Sequence, residues 1–204
     1  TFPALHLFAY KGACPICTCP HTPQILKEVK PMGIPPDSLV HSGNIKDILI
    51  PRFLKDELIQ KLVMPRTDET LSLEENWSAH CLDTPFHPGT VPEHQAICLC
   101  LDTEVAYVRK STLEHKLTIS AYASLENIRL TNAEKEFYKS SYGLAGNRID
   151  MVIAAVHRNL SKDMDFSRSL GIGQINLTED KDPVTSHWRD NGWYGKSIVY
   201  SIYR

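Results

Sequence analysis

The chain has 204 residues, 42% of them hydrophobic, which is enough to bury one sizeable core. Charged residues make up 23% and nearly cancel to a net charge of −2, so there is neither a basic field for nucleic acid nor an acidic tail. No apolar run approaches the roughly 18 residues of a membrane span, and the opening TFPALHLFAY lacks the positive flank and small-residue cleavage site of a signal peptide.

Residues 2–10 read as a strand running into CPICTCPH at 14–21, a loop because Pro15, Pro20 and Pro23 interrupt it. Residues 23–30 suit one or two helical turns, and 32–43 is turn material. The best helical stretch is 44–63, with Asn44 as its N-cap and Ile48, Phe53, Leu54, Leu58, Ile59 and Leu62 approximating one apolar face. Pro51 is expected to break or kink it. Residues 66–95 show no period of two or 3.6 and form the expected internal boundary or long functional loop. Residues 96–101, 104–110 and 113–122 read as antiparallel strands joined by short turns. In the third, Leu113, Leu117, Ile119 and Ala121 point one way, and Glu114, Lys116, Thr118 and Ser120 the other. Thr131 and Glu134 fit a capping box that opens a helix through about Ser141, with Gly143 and Gly146 able to stop it. IDMVIAAV at 149–156 reads as a buried strand, with further strands in 171–177 and 195–203. The fold expected is α+β: mainly antiparallel sheet in the C-terminal two-thirds, helices concentrated in the N-terminal third. One domain spans 1–204, and any subdivision falls within 66–95.

Three arrangements carry chemistry. Cys14, Cys17, Cys19 and His21 form a candidate zinc site, since two thiolates on a tight turn reach one tetrahedral ion. A second ligand pair would come from Cys98 and Cys100 or from His80 and Cys81. The six cysteines suit disulfides equally well. The stretch 79–94 gathers His80, Cys81, Asp83, His87, Glu93 and His94, the residue types of a metal hydrolase or a Cys/His nucleophile. His157 stands at the end of the strand expected at 149–156, where catalytic histidines are found. Asn-x-Ser/Thr strings at Asn76, Asn159 and Asn176 would suit a secreted glycoprotein. An intracellular location is favoured over an extracellular one, because a chain of this length does not depend on disulfides to fold.

From Lys116 to Asp163 the order is strand, capped helix, YGLAGNR, then an apolar run read as a strand. This order resembles the middle of animal rhabdovirus matrix proteins, where a Tyr-x-x-x-Ala-Gly-basic-Arg turn precedes a strand. Tyr142, Ala145, Gly146 and Arg148 match that turn with one residue fewer between the Tyr and the Ala-Gly. GWYGKSIVYSIY at 192–203 is similar to the last long strand of those proteins. The chain departs from them in its cysteine cluster and in lacking a PPxY budding motif. The resemblance implies a structural role with no catalytic residues. The function expected is non-enzymatic binding or assembly, matrix-like in kind, with a protein partner or self-association. The alternatives are a small Cys/His or metal-dependent hydrolase using the 80–94 loop or His157, and a disulfide-bonded secreted domain. Zinc is the one cofactor suggested.

Overall fold

The computed structural model describes residues 36–86, 97–109, 112–161, 175–178, 182–189 and 192–203. The strand expected at 2–10, the cysteine cluster and the turns expected at 23–30 lie outside these residues. All the described residues fall in one unit, Ile34–Arg204.

Helix α1 spans Pro36–Leu54, so residues 36–43 are helical rather than turn, and Asn44 lies inside the helix rather than capping it. A proline is tolerated in a first turn, where its missing N–H has no intrahelical partner anyway. The buried side is Ile45, Leu49 and Phe53, four apart, whereas Ile48 is exposed. Pro51 does not break the helix. It sits in the last turn, exposed, and α1 ends three residues later. The break is made by Asp56, whose carboxylate accepts the N–H groups of Leu58 (3.0 Å) and Ile59 (3.2 Å) and so caps α2, Glu57–Val63. The Gln60 amide donates back to the Leu54 carbonyl and closes the end of α1.

Within the stretch expected to be irregular, 66–72 and 83–86 hold no helix or strand, but 73–82 do. Ser72 accepts from the Glu75 N–H and Glu75 accepts from the Ser72 N–H, a capping box that opens α3, Leu73–His80. The buried Asn76 fixes the preceding loop: it accepts from the Asp68 N–H and donates to the Asp68 carbonyl, both at 2.9 Å. A two-residue strand, β1 (Cys81–Leu82), follows without a linker.

The strands expected at 96–101 and 104–110 are one strand, β2, Ile97–Arg109. The strand runs on through 102–103, where a turn was expected, and a bulge lies farther along, between Val105 and Tyr107. It pairs antiparallel with β3, Thr112–Ser124. The register of β3 is as expected: Leu117, Ile119 and Ala121 are fully buried, and Lys116, Thr118 and Ser120 are half-buried.

After a short helix α4, Leu125–Ile128, the Thr131–Glu134 capping box opens α5, Asn132–Tyr142, and Gly143 stops it at φ 65°. The run 149–156 is then helix, not strand, within α6, Arg148–Ser161. Two causes favour the helix. Asn147 accepts from the Asp150 N–H (2.9 Å) while Asp150 accepts from the Asn147 N–H (3.0 Å), a reciprocal cap. The buried positions continue through Val156 to Leu160 with Ala154 exposed, which is a helical stripe. The remaining strands are β4 (Ile175–Leu177), β5 (Val184–Arg189), which sequence reading passed over, and β6 (Trp193–Tyr203).

The sheet order is β1-β2-β3-β6-β4, with β5 also on β6; every pairing is antiparallel except β1 with β2. The fold is α+β, with helices before the sheet and also between β3 and β4. One sheet face (Ile97, Leu99, Leu117, Ile119, Ile198, Tyr200) packs against α1, α2 and α6 to form the main core. On the other face Phe86, Cys98, Cys100 and Tyr122 form a second, smaller core.

Candidate functional site

The residues expected to carry chemistry are placed in structural surroundings. His80 ends α3, is buried, and donates from Nδ1 to the Ile97 carbonyl at 2.7 Å, which ties the helix to β2. Cys81 begins β1 in the main core. Burial, then the nearby Asp83 and Cys98, push its thiol far up, so no thiolate nucleophile forms there at neutral pH. Cys98 and Cys100 pack with Phe86 and Tyr122, and burial pushes Cys98 up to about 12. These three cysteines are free thiols, and among the described residues no three His, Cys, Asp or Glu side chains converge as metal ligands. The candidate ligands Cys14, Cys17, Cys19 and His21, and also His87, Glu93 and His94, lie outside the described residues.

His157 lies on α6, half-buried, rather than at a strand end. Burial pushes the Tyr200 phenol far up, and its hydroxyl shares a hydrogen bond with His157 Nδ1 at 3.1 Å. The bond ties α6 to β6. Of the three Asn-x-Ser/Thr strings, the Asn76 amide is buried and bonded, and the Asn159 amide donates to Asp56 at 2.8 Å. Asn176 is exposed.

Two arrangements were not read from the sequence. The first crosses three strands on the second sheet face. Ser120 and Ser197 hydroxyls meet at 2.6 Å, Ser197 meets His187 Nε2 at 2.9 Å, and Thr185 meets the same nitrogen at 3.1 Å. A serine bonded to a histidine is the first half of a nucleophile and base. Here the serine is buried and the ring nitrogen is shared between two hydroxyls, which makes a cross-strand polar ladder. The signal was available in principle, since β5 and β6 alternate, but it depends on their pairing register.

The second is a groove of about 630 Å³ between α1, α3 and β1. Ile50, Pro51 and Leu54 of α1 form one wall and Trp77 and Ser78 of α3 the other, with Cys81 and Leu82 of β1 also lining it. Counted from Asp47 on α1 and from Glu74 on α3, the lining positions recur at i, i+3 and i+4, so each helix presents one continuous stripe. Asp47, Lys55, Glu74 and Asp83 line it as well, and all four are exposed. The volume lies within the range of about 300–1,000 Å³ that suits ligand sites. Of the stripe on α1 only Leu54 belongs to the apolar face read in 44–63, and Ile50 and Pro51 were not placed on it. The one on α3 was missed with the helix itself, although Ser72 and Glu75 announce it.

No family model matches the chain, and the search of curated proteins finds no relative.

Proposed function

We propose that this chain is a non-enzymatic binding or assembly protein that engages a protein partner, or another copy of itself, through the groove between α1, α3 and β1. The observation that carries the reading is the groove itself: two helices and a strand leave an apolar trough lined by Ile50, Leu54 and Leu82 and edged by charge. A trough of this kind suits the apolar face of a helix or peptide. The matrix-like structural role that the resemblance implies is the self-assembling form of the same reading. Of the residues of the hydrolase alternative, His80, Cys81 and His157 are each engaged in holding elements together, and His87, Glu93 and His94 lie outside the described residues.

Ser78 is exposed on the groove wall, so Ser78→Trp fills the trough from its rim without entering the core. Ser140, exposed on α5, gives a matched control in Ser140→Trp. The test is sedimentation of the full chain at increasing concentration, together with selection of binding peptides from a displayed library. Self-association or peptide capture that Ser78→Trp weakens and Ser140→Trp leaves unchanged supports the reading. Binding indifferent to Ser78→Trp, or none at all, overturns it.

A further inference from the structure

We infer that the groove's occupant is a cationic amphipathic helix of a partner protein, an inference that rests on the groove being the docking surface. The shape argues for a helix. Asp47, Ile50, Pro51, Leu54 and Lys55 fall at i, i+3, i+4, i+7 and i+8 of α1. Glu74, Trp77 and Ser78 fall at i, i+3 and i+4 of α3. Two facing helical stripes form a trough into whose ridges a third helix can set its own. That helix would bring apolar residues at i, i+3, i+4 and i+7 against the half-buried Ile50, Leu54 and Leu82.

The edge argues for positive charge. The exposed carboxylates Asp47, Glu74 and Asp83 stand against one exposed ammonium, Lys55. The neighbouring Lys46 does not restore the balance. Its ammonium donates to the Asp83 carbonyl at 2.6 Å and lies 3.8 Å from Asp102. Each exposed ion pair is weak, but the rim as a whole selects the sign of the flanking residues, as charge patterns at interfaces do. An acidic helix of the same apolar face would meet a rim of three carboxylates and one ammonium, which is repulsive on balance.

Three synthetic helical peptides test this by calorimetric titration into the full chain. One carries leucines at i, i+3, i+4 and i+7 flanked by lysines. The second replaces the lysines by glutamates, and the third replaces the leucines by alanines. The lysine peptide is expected to bind about tenfold tighter than the glutamate peptide, with the gap closing at high salt. The alanine peptide should bind more weakly than either leucine peptide. Asp47→Lys with Asp83→Lys, both at exposed positions, should reverse the preference. Equal affinities for the two leucine peptides, or a preference that survives the double substitution, would overturn the cationic partner while leaving the groove a docking surface. If none of the three binds, the inference fails. Self-association lost in Ser78→Trp would then identify a second copy as the occupant and leave the binding reading standing.

Discussion

Arg148 joins three segments through one side chain. It is buried, donates from Nε to the Asn127 carbonyl at 3.0 Å and from Nη2 to Glu134 at 2.9 Å. Glu134 also completes the cap of α5 by accepting from Thr131. Burial raises the Glu134 pKa, but the hydrogen bonds from Thr131 and Arg148 outweigh it and hold the carboxyl below its ordinary value. A carboxylate whose pKa is lowered by folding contributes stability that is present above its unfolded pKa and is lost as pH falls through the folded one. Glu134→Gln should therefore lower stability at neutral pH by about 1 kcal/mol, the small end for a charged hydrogen bond because the group is partly solvated. The deficit should shrink in acid, where wild-type Glu134 is itself neutral. Urea midpoints measured across the carboxylate range check this, and a deficit constant with pH would mean that the Arg148 pair is idle.

At the scale of elements, β3 gives the sharpest contrast between neighbouring positions. Leu117→Ala removes a fully buried side chain facing α6 and should cost about 2–5 kcal/mol. Thr118→Ala, half-buried on the other face, should fall within roughly 0.5 kcal/mol. Denaturant melts ranking the two in reverse would contradict the register. That register was legible because alternation is a local property of one strand. The Thr131–Glu134 cap was legible for the same reason, and equivalent signals at Ser72–Glu75 and Asn147–Asp150 were present but passed over. The run 149–156 was misread because the unbroken apolar string 151–156 carries no period, and only its continuation to Leu160 separates helix from strand. Of the candidate site, only Leu54 was visible, as one position of the apolar spacing in 44–63. The groove as a whole was not, because it needs α1, α3 and β1 in one place.

Across the whole molecule, long-range pairing decides what can open. The β2–β3 hairpin is local, but β3 meets β6 only after α4, α5 and α6 have intervened, and no sequence pattern announced that partner. The result places β2 between two cores: Leu99 and Leu101 face the helices, and Cys98 and Cys100 face Phe86 and Tyr122. Freeing Cys98 or Cys100 requires opening the second core, which is built on the paired inner strands β2 and β3 and is expected to open only as the unit unfolds. Cys81 differs. It lies on a two-residue strand at the sheet edge, paired with β2 only at Leu99 and Leu82 only at Cys100. Short edge elements open at lower free energy than central strands. Under native conditions all three thiols should resist an alkylating reagent, because burial raises each pKa and hides each sulfur. As sub-denaturing urea is added, Cys81 should become labelled first, through local fraying of β1. Cys98 and Cys100 should follow together, with a urea dependence equal to that of global unfolding. Peptide mapping by mass spectrometry separates these sites from Cys14, Cys17 and Cys19. Labelling of Cys98 or Cys100 ahead of Cys81 would show that the second core opens by itself, and that the two faces of the sheet do not unfold as one.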